Sequence, residues 1–315
     1  MAILFCGTLG ANTGKPQCDV AIGAIKYLLL SRGATFTEAE LKDSNTLKAA
    51  LLAKMLLPKT DTQKVFLIPY ANEAEDNTGD PQTASLSDGF EEVLTDALPK
   101  YILRHAKVGV RQNQALAQFN GWSDKIFIID RNNRFVYIQN ADFTGKGFTS
   151  GNLYYDPPRP GASNAQKVTV GRLTFGSIDE FKTSVVGLVD TSFNPADLVN
   201  IEDVDVVQKA APASNVVTVG LITRFGGSDL YSSYKTPMNN AARWVITNED
   251  TGGTIAITSV ATDDPNKGWD ITIDSTAFGA LASGAKYSIN TASPAVLDAA
   301  GVKGIEGNKI VYTKP

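Results

Sequence analysis

Lys125-Ile-Phe-Ile-Ile-Asp130-Arg-Asn-Asn-Arg134-Phe-Val-Tyr-Ile-Gln139 is the stretch from which the fold of this chain is most directly read. Two runs rich in β-branched and aromatic residues flank an Asn-Asn pair, and that arrangement predicts a β-hairpin. On either side of it further strands are expected at Val65–Tyr70 and Lys167–Phe175, with another inside 93–110. Ser177–Val189 reads as a short helix or a final strand. One helix interrupts the β pattern. Thr37-Glu-Ala-Glu40 has the form of a capping box, in which the Thr oxygen and the Glu carboxylate satisfy each other's backbone donors. Leu41, Leu47, Leu51, Leu52, Met55 and Leu56 then recur at helical spacing until Pro58, which predicts an amphipathic helix over 38–57 lying on a sheet. Residues 71–89 hold few large apolar groups and many turn formers, so a long exposed loop used in contacts is expected. Residues 1–20, punctuated by Gly7, Gly10, Gly14 and Pro16, read as an extended arm. Residues 145–163 are rich in Gly and Pro, and 154–161 read as an extended segment.

A boundary is expected over 201–214, where a run of acids is followed by Lys209-Ala-Ala-Pro-Ala-Ser214, a composition typical of linkers. Beyond it, short strands recur at Val216–Ile222, Ala242–Thr247, Gly253–Val260, Trp269–Ile273, Lys286–Asn290 and Lys309–Thr313. That spacing predicts a small β-sandwich with Trp244 and Trp269 filling the space between its sheets. The whole chain is therefore expected to be mainly β. Residues 1–200 form a β-sandwich or barrel-type domain with one packed α-helix, 201–214 a linker, and 215–315 an immunoglobulin-like sandwich.

Composition narrows the function. With 315 residues, 43% hydrophobic and 20% charged, the chain is that of a folded protein with two domains as the natural expectation. A formal net charge of −4 and the lack of a Lys/Arg cluster argue against grip on nucleic acid through phosphates, leaving only passive contact with DNA. No stretch approaches the roughly 20 apolar residues needed to cross a bilayer, so no membrane association is expected. Met1–Gly7 lacks the basic flank of a secretory signal. The two cysteines, Cys6 and Cys18, make no disulfide framework and read as reduced thiols of a protein made in the cytoplasm.

Each catalytic pattern fails on a particular residue. Gly10-Ala-Asn-Thr-Gly14-Lys15-Pro16 is one residue short of a phosphate loop, and Pro16 stands where the Mg²⁺-binding hydroxyl belongs. His105 is the single histidine, without a nucleophile or ligand set beside it. Asp263-Asp264-Pro-Asn266-Lys-Gly268 resembles the start of a calcium loop, but Ser275 replaces the carboxylate at position twelve, and a β-turn is expected. Glu91-Glu92 and Glu202/Asp203/Asp205 read as solvated surface, because adjacent strand residues point to opposite faces. No catalytic, cofactor-binding or metal-binding residue is expected, and no enzymatic activity.

Val260-Ala-Thr, Gly268-Trp-Asp-Ile-Thr-Ile-Asp274, Gly284-Ala-Lys-Tyr-Ser-Ile-Asn290 and Ser293–Gly307 resemble the bacterial immunoglobulin-like modules carried by phage structural proteins. Cys18 after the Gly-rich start, Phe119-Asn-Gly121 and the hairpin Phe127–Phe135 are similar to a protein type encoded by tailed phages and prophages. At the level of architecture the chain resembles a major tail tube protein with a C-terminal immunoglobulin-like domain. The resemblance implies a virion structural protein that forms a homo-oligomer of stacked, hexameric rings around a DNA channel and touches other virion proteins. The 71–89 loop and the 1–20 arm would reach neighbouring copies, and a mildly acidic lumen would let DNA pass. A capsid, neck or baseplate role stays open, as does a glycan-binding surface module using Tyr231 and Tyr234.

Overall fold

The computed structural model describes residues 22–85, 91–106, 108–158, 168–198 and 201–314; the arm expected over 1–20 lies outside the described residues. The chain is mainly β and divides into two compact units after Leu198.

In the first unit the strands are Ile25–Ser31 (β1), Thr35–Phe36 (β2), Val65–Leu67 (β3), Glu73–Asp76 (β4), Gln82–Ser85 (β5), Glu91–Thr95 (β6), Lys100–His105 (β7), Lys125–Asp130 (β8), Arg134–Gln139 (β9), Gly145–Lys146 (β10), Phe148–Tyr155 (β11), Thr169–Phe175 (β12) and Val185–Asp190 (β13). Its helices are Ser44–Met55 (α1), Val110–Ala117 (α2) and Asp179–Lys182 (α3). The expected hairpin is β8–β9, with Ile128 opposite Val136 and Ile129 opposite Phe135. Asn133 supplies the positive φ of its turn, at 58°, a conformation asparagine tolerates better than most residues.

From this hairpin a barrel closes. β8 pairs with β1 along its length and with the start of β11. A bulge between Ser150 and Asn152 passes β11 on to β12, and the ladder continues through β7 to β4. β3 belongs to the same extended segment as β4 but pairs with β1, and Ile68 N and Ala71 N donate to Leu28 O and Lys26 O between them. The path β1, β8, β11, β12, β7 and the 65–76 segment therefore returns to β1. Closure removes bare edges from these strands. β9 carries β10, β2 and β13 outward from the barrel wall.

Both faces of the wall are buried. Leu28, Leu30, Ile126 and Ile128 point into the barrel with Leu103, Phe148, Leu153, Leu173 and Phe175. Tyr27, Leu29, Phe127 and Ile129 face outward onto Phe36, Phe135, Tyr137 and the α1 residues Leu47, Leu51 and Met55. Continuous rather than alternating apolar runs are what a doubly covered strand requires. Helix α1 lies on the sheet as expected, but it begins at Ser44, not residue 38. The Thr37–Glu40 box does form, through Thr37 N to Glu40 Oε2 at 2.7 Å and Glu40 N to Thr37 Oγ1 at 3.3 Å, yet it closes a separate turn. Asp43 Oδ1 then accepts from Asn45 N and Thr46 N and starts the helix itself. At the other end the buried Lys64 ammonium donates to Met55 O at 2.6 Å, placing a cation where the helix dipole favours one. The alternatives posed for 177–189 are both realised, as α3 and β13.

The second unit has strands Glu202–Gln208 (β14), Val216–Thr223 (β15), Trp244–Asn248 (β16), Thr254–Ile255 (β17), Ile257–Asp263 (β18), Gly268–Ile273 (β19), Lys286–Thr291 (β20), Ile305–Asn308 (β21) and Ile310–Thr313 (β22). One sheet has the order β18-β19-β15-β14-β21 and the other β17-β16-β20-β22. Lettered A to G along the chain, these are the D-E-B-A and C-F-G sheets of an immunoglobulin-like sandwich. The last lettered strand is split, because β21 pairs with β14 in parallel before β22 pairs with β20 in the opposite sheet. Trp244 and Trp269 meet in the core at 5.7 Å between ring centroids, as expected, and their indole N–H groups donate to Met238 O and Lys235 O.

The expected linker over 201–214 is corrected. Residues 202–208 are a strand inside this sandwich, hydrogen-bonded on both sides to β15 and β21. Val204 and Val206 enter the core, and the interleaved acids occupy the opposite face, so the acidic run reflects a period of two rather than a tether.

Candidate functional site

Within the loop expected over 71–89, residues 71–85 are described and are largely paired as strands. β4 and β7 pair from Glu73–Arg104 to Asp76–Tyr101, and Asn77 N to Lys100 O and Lys100 N to Thr78 Oγ1 carry the pairing onward. β5 and β6 extend it, with Thr83 opposite Val93. The result is an antiparallel ribbon that starts in the barrel wall and continues beyond it. Arg104 ties its base by reaching Glu73 at 3.4 Å and Glu75 at 2.9 Å. Lys182 pairs with Asp96 on the returning side, and Phe175 N donates to Pro99 O. Hydrogen bonds from Thr78 hold the Asp76 carboxyl below the usual carboxylate range.

Past its base, β5–β6 pairs with no third strand among the described residues. Val93 and Leu94 are 56% and 62% exposed. The register shifts here, Gln82 lying opposite Thr95 and Thr83 opposite Val93, so Leu94 is an extra residue that bulges from the ladder, and the ribbon presents two adjacent large apolar side chains to the surface. Around them, residues 71–99 contain eight carboxylates and no Lys or Arg. A second open surface is the outer edge of β13, which among the described residues pairs only with β9.

The residues weighed from sequence are scattered. His105 is buried inside the barrel, its Nδ1 3.0 Å from Tyr70 O and its ring against Tyr155. Glu92 lies on the exposed ribbon. Asp205 accepts from Asn308 Nδ2, and Asp203 approaches Arg224. Asp263–Gly268 forms the β18–β19 turn, as expected, with Asn266 bonded to Asp263 and Lys267 at φ 51°. Asp264 is occupied by the Tyr231 hydroxyl and the Lys235 ammonium, both at 2.6 Å, and these partners keep its pKa low, Lys235 foremost. The reading of Tyr231 as an exposed glycan platform is corrected: it is 4% exposed and packs edge-on against Trp269 at 5.1 Å. Tyr234 packs against the same core and donates to Lys303 O. Gly10–Pro16 lies outside the described residues. Among the described residues, no group of three His, Cys, Asp or Glu is placed to hold a metal, and no helix is long and apolar enough to cross a membrane.

Sequence reasoning missed Val93 and Leu94 as surface features. Their signal was an apolar pair between Glu91-Glu92 and Thr95-Asp96, a setting too polar for a core strand.

No family model matches the chain, and no curated protein matches it. Among solved structures it is similar to the adhesin domain of Epf from Streptococcus pyogenes, with 10% identity over 93% of this chain and 92% of that one and a TM-score of 0.24. A likeness of that size bears on neither fold nor function.

Proposed function

We propose that this chain is a structural subunit of a phage virion, a tail tube protein whose copies close into stacked rings around a DNA channel, with the sandwich as outer decoration. The observation that supports this reading is the two-stranded ribbon with the adjacent apolar side chains of Val93 and Leu94 exposed at its bulge. A lone two-stranded ribbon is at best marginally stable in water, and exposed apolar groups on it gain most when another chain covers them. The open edge of β13 offers a different surface on the same unit. Two unlike surfaces that complement each other make a head-to-tail contact, and such a contact repeated about an axis closes into a ring. A chain of net charge −4 also suits a channel that must not retain phosphates.

Negative-stain electron microscopy of the purified full chain tests the proposal. Rings or tubes are expected, and a polypeptide that remains single at high concentration would falsify it. Leu94→Asp is expected to shift rings to monomers while leaving the far-ultraviolet circular dichroism unchanged. Closed shells or caps in place of tubes would move the role to capsid, neck or baseplate.

A further inference from the structure

The end of the barrel at which β7 and β11 finish and β12 begins is unusually polar inside. His105 on β7 stands directly across from Thr169 on β12, and Tyr155 on β11 across from Gly171. The imidazole and phenol rings lie 5.6 Å apart. Helix α2 packs over this end, burying Leu116 in the barrel core and donating from Asn113 Nδ2 to Thr169 Oγ1 at 3.0 Å. Three buried polar atoms on these neighbouring residues have no protein hydrogen-bond partner: His105 Nε2, the Tyr155 hydroxyl and Asn113 Oδ1. Such an atom is costly if it stays unsatisfied, and three of them on adjoining residues mark one candidate site.

We propose that His105, Tyr155 and Asn113 together bind one buried water molecule that ties helix α2 to the barrel. The chemistry selects the ligand. The Tyr70 carbonyl can only accept, so the proton of the neutral imidazole is on Nδ1 and Nε2 offers a lone pair. Burial lowers the pKa of His105 and favours that neutral form. Asn113 donates to Thr169 and keeps Oδ1 as an acceptor. Burial raises the pKa of Tyr155, which therefore keeps its proton and is a donor. Two acceptors and one donor match the two protons and one lone pair of water, and buried waters typically make about three hydrogen bonds. An ammonium ion has no lone pair for Tyr155. An anion would face two acceptors, and a hard cation would find no carboxylate. Gly171 makes room for the Tyr155 ring, since a Cβ there would stand 2.6 Å from Cε1.

Crystals of the full chain that resolve ordered solvent should show one water within about 3.2 Å of all three atoms. A direct Tyr155–His105 hydrogen bond, or no solvent density among the three, overturns the proposal. In solution, ¹⁵N shifts of the His105 ring should report a protonated Nδ1 and an unprotonated, hydrogen-bonded Nε2; a protonated Nε2 overturns it. Tyr155→Phe removes one of the three bonds and should shorten the water's residence time, read by ¹⁷O relaxation, by about tenfold. No slow water component in the native chain, or an unchanged one in the variant, counts against the site.

Discussion

Asp130 is the residue on which the first unit turns. Its buried carboxylate accepts from Gly23 N, Asn132 N, Arg134 N, Arg134 Nε and Arg134 Nη2, at 2.6–3.0 Å. The same side chain thus shapes the β8–β9 turn, neutralises a nearly buried guanidinium and fastens the segment leading into β1. Asp130→Ala should cost about 3–5 kcal/mol, because it removes one member of a buried ion pair, and urea unfolding measures it. His105 makes a pH prediction. Burial puts its folded-state pKa below the unfolded value of 6.5. Between the two values the unfolded chain binds a proton that the folded chain refuses. Stability from this residue is thus complete above about pH 6.5 and falls as the pH drops, with a slope of up to about 1.4 kcal/mol per pH unit. In His105→Gln that component should vanish from the difference in stability between pH 7 and pH 5. Gly187 is equally specific. It lies across from Tyr137, whose ring fills the place a Cβ would take, so Gly187→Ala should destabilise by about 1–3 kcal/mol.

At the scale of elements, legibility followed local physics. The hairpin was readable because its apolar runs and its Asn turn act over a dozen residues. The start of α1 was not, because Thr37–Glu40 and Asp43 are two valid caps in succession and only the packing of Leu47 and Leu51 decides between them. The β14 strand was hidden because its valines alternate with acids, and acids weigh towards linkers when no partner strand is in view. The exposed ribbon has the sequence of a loop for a related reason: its strands pair, but its side chains belong to a surface. Phe119-Asn-Gly121, one of the features that carry the phage resemblance, has a structural part in the barrel. Asn120 Oδ1 accepts from Tyr155 N at 2.6 Å and its Nδ2 donates to Tyr155 O at 3.1 Å, so the side chain acts as a missing strand partner for the end of β11. Gly121, at φ 83°, turns the chain so that its own N–H reaches Leu153 O. Asn120→Ala should cost about 1–3 kcal/mol through the unpaired Tyr155 groups, visible as a lower midpoint in chemical unfolding.

At the scale of the whole molecule, each unit has its own core: the barrel and its α1 layer in one, the Trp244–Trp269 cluster in the other. Calorimetry should therefore resolve two transitions, and residues 201–315 produced alone should reproduce one of them; a single transition that disappears in the fragment would refute that independence. The absence of any basic residue between 71 and 99 means that a partner for the ribbon must bring its own positive charge or accept the apolar pair alone. The parallel pairing of β14 with β21 has a mechanical meaning. Tension applied between residues 201 and 314 would pull those two strands past each other lengthwise, loading the rungs from Glu202–Ile305 to Asp205–Asn308 together instead of peeling them singly. The sandwich is thus built to yield late under stretching along its own ends, like a lap joint pulled in shear.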